Sequence, residues 1–350
     1  MIVLGIESTC DETGVAVVRE GWEILANEVI SQVPLHERFG GVVPEIASRA
    51  HTEVITRLIE SALEKAGIAT EPGAAPVDLI AVAHRPGLVG SLIVGVTAAK
   101  CLALAWEAPI VGVDHVHAHI YSVVLRTKGS RAPPAESDFF PAVSLVVSGG
   151  HTALYASPGY TTHRRIGNTT DDAAGEAFDK VAALLELGYP GGPAVSKAAL
   201  GGDPEAVRFP RTLLDRDSLD FSFSGIKTAV LYRTRGQNSD RSAPLRSDVD
   251  VADVAASFEE AAVDVLVTKI RRALRRETFE RVIVAGGVAA NARLRERLAA
   301  LAEERSIEVL IPPRELCTDN AAMIAGLGYH LAKAGRRDDL ALDAYPMMTR

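Results

Sequence analysis

The chain has 350 residues, 47% of them hydrophobic and 23% charged, with a formal net charge of −8. That length supports a large core in one or two domains, two being the expectation. The acidic balance argues against unaided capture of nucleic acid, where phosphate contacts dominate affinity, and 5% aromatics argue against base-stacking modules.

Residues 2–6 are apolar, 7–13 small and polar, and 14–18 apolar again, which predicts a hairpin with a polar tip. This N-terminus has no basic segment and meets acid at Glu7, so it does not read as a signal peptide. Residues 51–66 keep a period near 3.6 through Val54, Ile55, Leu58, Ile59, Ala62 and Leu63, the mark of an amphipathic helix. A strand is expected over 79–83 and a helix over 95–105. The longest apolar stretch, near residues 92–106, is broken by Lys100 and is too short to span a bilayer, so we expect a cytoplasmic protein without membrane contact. Three cysteines, Cys10, Cys101 and Cys317, are widely spaced and odd in number, which argues against a disulfide framework.

Residues 108–113 read as a buried strand, and three of the nine histidines follow at once: His115, His117 and His119. On a helix His115 and His119 would share a face and His117 would point away; on a strand all three would align. Asp114 as a cap and the stripe Ile120, Val123, Val124 and Leu125 favour the helix, with His115 and His119 as the pair. A polar helix start without metal is the bland alternative.

Residues 127–137, with Gly129, Pro133 and Pro134, form the best linker. The hairpin pattern then returns: apolar 142–147, the tip Ser148-Gly149-Gly150-His151, and apolar 152–155. Two such hairpins suggest an internal duplication. Helices are expected over 176–187, 251–276, 291–304 and 321–328, strands over 281–285 and 308–311, and a surface loop over 234–247. The basic clusters Lys269, Arg271, Arg272, Arg275, Arg276 and Arg233, Arg235, Arg241 read as solvated faces. Strands alternating with helices imply an α/β fold.

Five loops combine small residues with polar groups at strand ends: 8–14, 86–91, 148–152, 190–193 and 286–291. Their successive backbone N–H groups suit phosphate or carboxylate oxygens. None is a Walker A loop, and no Gly-x-Gly-x-x-Gly follows the first strand. Acidic candidates are Asp11, Glu12, Asp171, Asp172, Glu176, Asp179 and Asp319. Asp11 and Glu12 lie at the first hairpin tip, where a carboxylate could accept a proton or hold a metal-bound water. Asp179 could reach a ribose hydroxyl or be a solvated surface acid. Asp319 precedes an apolar helix and could be a simple cap; with two histidines short of a third ligand, it becomes the leading oxygen donor. Two imidazoles and a carboxylate suit Fe²⁺ or Zn²⁺.

Several of these stretches together resemble the TsaD family. They are Ile6-Glu7-Ser8-Thr9-Cys10-Asp11-Glu12-Thr13, Gly41-Val42-Val43-Pro44-Glu45-Ile46-Ala47-Ser48-Arg49-Ala50-His51, Ser148-Gly149-Gly150-His151-Thr152 and Asp171-Asp172-Ala173-Ala174-Gly175-Glu176-Ala177-Phe178-Asp179-Lys180. Tyr189-Pro190-Gly191-Gly192-Pro193, Phe221-Ser222-Phe223-Ser224-Gly225-Ile226-Lys227-Thr228 and Thr318-Asp319-Asn320-Ala321-Ala322-Met323-Ile324-Ala325 complete the set, in order from Ile2 to about Leu327. The family comprises tRNA adenosine threonylcarbamoyltransferases, once described as O-sialoglycoprotein endopeptidases. The resemblance implies an actin-like, sugar-kinase-like α/β fold, two RNase-H-like domains around a nucleotide cleft. The expected division is 1–126, completed by a helix at 320–335, then 138–319, with 336–350 as a tail. It also implies the reaction: threonylcarbamoyl passes from threonylcarbamoyl-AMP to N6 of the adenosine 3′ of the anticodon in tRNAs reading codons that begin with A, releasing AMP.

By motif position, the resemblance makes His115, His119 and Asp319 the ligands of one divalent metal per subunit, Fe²⁺ in first place and Zn²⁺ as the alternative. It makes Val146, Val147, Ser148, Gly149, Gly150, Asp179, Gly192 and Asn291 the adenylate-binding set. Ser196 stands where many relatives carry an Asp that contacts the ligand, and is counted with that set. Asp11 or Glu12 is expected as proton acceptor or tRNA-orienting group, with His151 behind them. Two departures are Arg85, where the family commonly has Gly, and His117, where many bacterial relatives have an acid. Expected partners are tRNA and TsaB-type and TsaE-type subunits, which the acidic charge fits. Three other classes are weighed: a metalloprotease, which lacks His-Glu-x-x-His; a sugar or acetate kinase, which lacks a sugar signature; and a scaffold, which would bind neither metal nor adenine nucleotide.

Overall fold

A computed structural model describes residues 1–70, 74–212, 217–237 and 243–347 of the chain; Arg241 of the second basic cluster lies outside them. Two compact units result. The first takes Met1–Phe139, Gly159–Thr162 and Thr318–Arg350, and the second Phe140–Pro158 and His163–Cys317.

In the first unit the predicted hairpin is β1 (Ile2–Glu7) and β2 (Glu12–Arg19), antiparallel, with Glu7 opposite Gly14. Val15, Ala16, Val17 and Val18 are all fully buried, which is why β2 reads as an unbroken apolar run rather than an alternation. β3 (Glu23–Ser31) extends the meander. A short α1 (Val33–His36) and then α2 (Pro44–Ala66) follow. α2 starts at Pro44 rather than 51, because Pro is tolerated in the first turn, and it stops at Gly67 in the left-handed region. It buries Ile55, Leu58, Ile59, Ala62 and Leu63, the face its period predicts.

Next come β4 (Leu79–Arg85), α3 (Val89–Trp106), β5 (Ile110–Asp114), α4 (His115–Tyr121) and a short edge strand β6 (Arg126–Thr127) at the start of the expected linker. β4 and β5 join β1 in parallel, so the sheet runs β5-β4-β1-β2-β3-β6. α3 is longer than the sequence suggests: 18 residues with mean hydropathy 1.7, long and apolar enough by those measures to cross a membrane. One face, with Leu92, Val96, Ala99 and Ala103, is packed into the core of the first unit.

In the second unit β7 (Ala142–Val147) and β8 (Thr152–Gly159) form the second predicted hairpin, and β9 (Thr162–Asn168) lies at its edge. Then follow α5 (Ala174–Leu184), α6 (Gly191–Ala199), α7 (Ser224–Arg235), α8 (Val251–Glu277), β10 (Arg281–Ala285), α9 (Ala292–Arg305) and β11 (Glu308–Leu310). β10 pairs in parallel with both β7 and β11, and the order is β11-β10-β7-β8-β9. Strand for strand this repeats β5-β4-β1-β2-β3, so the paired hairpins do mark a duplication. Phe178 of α5 and Phe258 of α8 meet edge to face at 5.0 Å in the core. Lys269 corrects an expectation: it is fully buried rather than solvated, and its Nζ donates to the Ser218 carbonyl at 2.7 Å. A buried ammonium must be satisfied in this way.

The last helix, α10 (Ala321–Lys333), returns to the first unit and lies across β1, β2 and β4. The approach is close enough that a Cβ on Gly5 would sit 2.3 Å from the Ala321 carbonyl. Beyond it the chain runs along β4 and β5: Asp338 N–H donates to the Ile110 carbonyl, and Tyr345 N–H to that of His84.

Candidate metal centre and adenylate site

β5 ends at Asp114, whose Oδ1 accepts the N–H groups of Val116 and His117 at 3.1 and 3.2 Å. That cap forces the helical option. His115 and His119 share a face with ring centroids 4.7 Å apart, and His117 falls on another. Arg85 holds the same cap from β4, its Nε donating to Asp114 Oδ2 at 3.2 Å. At the start of α10 the cap is Asn320, which accepts the Met323 N–H. Asp319 is therefore not used as a cap. Its Oδ1 lies 3.1 Å from His119 Nε2 and 3.6 Å from His115 Nε2.

Two imidazole nitrogens and a carboxylate oxygen thus lie within 4.8 Å of one another. The His115 tautomer suits a metal. His115 Nδ1 is 2.8 Å from Oε2 of Glu7, a fully buried carboxylate, so Nδ1 carries the proton and the Nε2 lone pair faces Asp319. Glu7 is itself fixed by the Thr9 N–H at 2.6 Å. Burial would hold His115 down, but Glu7 and Asp319 outweigh it and push the ring up to about 9. A site this rich in acceptors calls for a cation or a proton at its centre, and the donor set fits Fe²⁺ or Zn²⁺.

Asp11 and Glu12 lie beside it, at the turn from β1 into β2. The turn is held from outside: Gln32 N–H donates to the Asp11 carbonyl, Leu88 N–H to that of Thr9, and His51 Nε2 to that of Cys10 at 3.0 Å. His51 Nδ1 takes the Thr13 hydroxyl at 2.7 Å, and burial keeps this ring below its ordinary value. Ser31 donates to Glu12 Oε1. Burial, then Asp319 and Asp11, push Glu12 up to about 9. His117 is lowered, chiefly by burial. Glu7 and His51 both stand in the sequence motifs, but no periodicity shows which way they face, and sequence reading gave them no role.

The remaining predicted residues belong to the second unit. Val146 and Val147 are fully buried in β7, so only their backbone can meet a ligand. At the β7–β8 turn Ser148 N–H donates to the His151 carbonyl, and Ser148 Oγ accepts the His151 N–H. That closure leaves Gly149 and Gly150 exposed, with open space where a Cβ would stand. Gly192 is equally open. Asp179 Oδ1 accepts the Gly191 N–H at 2.7 Å, so Asp179 anchors the start of α6 and is not a solvated surface acid. Asn291 caps α9 through Oδ1, and its Nδ2 reaches Ser196 Oγ at 3.0 Å and Glu259 Oε1 at 2.7 Å. Glu259, on α8, was not anticipated. Asp171 and Asp172 are structural: Asp171 accepts from Ser222 and Ser224, and Asp172 pairs with Lys180 and Lys227.

Known proteins similar to this chain point to one family and one fold. The family model described as TsaD, tRNA N6-adenosine threonylcarbamoyltransferase, matches residues 23–326. A tRNA N6-adenosine threonylcarbamoyltransferase of Symbiobacterium thermophilum is 52% identical over 99% of this chain and 96% of that protein. Proteins of the same name from Anaeromyxobacter dehalogenans and Thermomicrobium roseum are each 49% identical, over 98% and 100% of this chain and 98% of either protein. Among solved structures, component A of the (R)-2-hydroxyglutaryl-CoA dehydratase of Acidaminococcus fermentans superposes with a TM-score of 0.52 at 15% identity, covering 96% of this chain and all of that one. Full-length HypF gives 0.57 at 14%, covering 95% of this chain and 46% of that one. At such identities the likeness concerns fold alone, and the fold is the actin-like, sugar-kinase-like one.

Proposed function

The chain belongs to the TsaD family of tRNA N6-adenosine threonylcarbamoyltransferases, and from that membership we propose the course of its reaction on tRNA. The donor is threonylcarbamoyl-AMP. The acceptor is N6 of the adenosine 3′ of the anticodon in tRNAs reading codons that begin with A. The amine attacks the carbamoyl carbon, the bond from that carbon to the phosphate oxygen breaks, and AMP leaves with the electron pair.

The amine is a weak nucleophile, so positioning must supply much of the rate. In the second unit the backbone of Val146–Gly150, with Asp179, Gly192, Ser196 and Asn291, takes the adenylate. In the first unit His115, His119 and Asp319 hold a divalent metal, Fe²⁺ by preference and Zn²⁺ otherwise. That metal, when bound, supplies Lewis-acid stabilisation of an anionic oxygen. Asp11 takes the amine proton, and Glu12, held protonated by burial and its acidic neighbours, is the alternative as a tRNA-orienting group. Asp11→Ala should slow transfer from purified threonylcarbamoyl-AMP by roughly 10²- to 10⁴-fold; a wild-type rate would remove that assignment.

The observation that carries the reading is the meeting of Asp319 with His115 and His119 in a chain of this family. The net charge of −8 fits work alongside TsaB-type and TsaE-type subunits rather than unaided tRNA capture. The test is reconstitution with threonylcarbamoyl-AMP and tRNA, with and without partners and chelator. Modified adenosine that disappears with chelator is the expected result, and none under any condition overturns the reading.

A further inference from the structure

Glu259 is a buried carboxylate that the reaction scheme above leaves unused. It projects from the third turn of α8 and is 9% exposed. Among the described residues it has no cationic partner, which is unusual for a carboxylate so deeply placed. Its only hydrogen bonds reach one oxygen, Oε1: from Ser196 Oγ at 2.6 Å and from Asn291 Nδ2 at 2.7 Å. No described residue donates to Oε2.

The donor count decides what this cluster can offer a ligand. Both Nδ2 hydrogens of Asn291 are spent, one on Ser196 Oγ and one on Glu259, and its Oδ1 already accepts the Leu294 N–H. The single hydrogen of Ser196 goes to Glu259. Asn291 and Ser196 therefore hold Glu259 in place, and Glu259 Oε2 is the atom with both lone pairs unused. An anionic acceptor with free capacity wants a hydroxyl or amine donor and repels phosphate. The phosphate belongs with the exposed glycines Gly149 and Gly150 at the other loop.

We propose that Glu259 is a specificity-determining residue of the adenylate site, its Oε2 accepting a hydrogen bond from a ribose hydroxyl of the ligand while Ser196 and Asn291 act as its positioning residues. This rests on the adenylate reading of the second unit. A ribose hydroxyl is preferred to the adenine amine because Glu259 shares its cluster with α6, the helix that Asp179 anchors beside the open backbone of Gly192.

The test is calorimetric titration of the full chain with AMP, 2′-deoxy-AMP, 3′-deoxy-AMP and IMP. A hydrogen bond to a charged acceptor corresponds to about tenfold in affinity or more. Wild type should therefore bind AMP about tenfold or more tighter than at least one deoxy analogue. Glu259→Gln should shrink that gap to within about threefold, leaving the AMP/IMP ratio unchanged. Ser196→Asp added to Glu259→Gln should restore the gap, which a merely structural role would not do. An undiminished gap in Glu259→Gln, no gap in wild type, or a change confined to IMP overturns the assignment. If Glu259→Gln does not fold, a wild-type gap that survives Ser196→Ala, which removes one holder of Glu259, also overturns it. Wild type that binds no AMP at all instead overturns the adenylate reading beneath it.

Discussion

Glu7 and His330 show how much of this molecule is decided by single hydrogen bonds. Glu7 fixes the His115 tautomer from behind, so Glu7→Gln keeps the shape and removes the charge that makes Nε2 a strong ligand. Metal affinity should fall by about 10- to 100-fold while the melting temperature without metal stays near wild type; titration with Fe²⁺ or Zn²⁺ under anaerobic conditions reads this out, and an unchanged affinity would refute it. His330 lies on α10 against Tyr121 and Tyr160. The Tyr121 hydroxyl donates to the Gly21 carbonyl, so His330 Nε2–H donates to the Tyr121 oxygen, and it is burial, not this bond, that favours the neutral ring. Burial lowers His330 from 6.5 to about 4. The unfolded chain therefore binds this proton more readily, and the stability involved is fully present above about pH 6.5 and is lost as pH falls toward 4. Allowing for partial exposure, the loss is about 1–2 kcal/mol. His330→Phe should flatten this part of the stability–pH curve measured by urea unfolding; a slope equal to wild type would count against it.

At the level of elements, Asp114 ties a strand end, a helix start and two ligands together. Asp114→Ala removes the cap of α4, worth about 1 kcal/mol, and with it the acceptor of the Arg85 Nε hydrogen bond. We expect weaker metal binding with little change from Asp114→Asn, which can still cap; equal affinities for the Ala and Asn variants would refute the role. The sequence showed this helix because the cap and the histidine spacing are local. It showed both hairpins and α8 for the same reason: their apolar runs are long and fully buried. It hid β9, whose Thr162–Asn168 segment is an exposed edge with little apolar pattern, and α6 and α7, whose Gly, Pro and Ser content masks a helical period. The start of α2 was missed because its first two turns bury only the small side chains Ala47 and Ala50, which give a weak apolar period. Asp319 was legible as a ligand only by need and by resemblance. That Asn320 takes the cap and Asp319 turns to His115 and His119 is a matter of backbone direction, which composition does not encode. Ser196 was singled out from sequence, but Glu259 was not, because its partners lie 63 and 32 residues away.

Across the whole molecule the chemistry divides as the chain does. Every proposed metal ligand, with Glu7, Asp11 and Glu12, belongs to the first unit, and every proposed adenylate residue belongs to the second. Each unit has its own hydrophobic core, one around Leu4, Ile6, Val15 and Ile80, the other around Phe178, Phe223, Phe258 and Leu266. A ligand that binds only the folded state stabilises what it touches by mass action, about 2.7 kcal/mol at a hundredfold excess over its dissociation constant. Hydrogen exchange should resolve where that stabilisation falls. Metal should raise protection in peptides from β1, β5, α4 and α10. AMP should raise it in peptides from the β7–β8 turn, α6 and the start of α9. Protection by metal should vanish in a His115→Ala, His119→Ala double variant while protection by AMP persists. A metal effect located in the second unit, or one surviving loss of both histidines, would show that the ion binds somewhere other than the His115, His119 and Asp319 set.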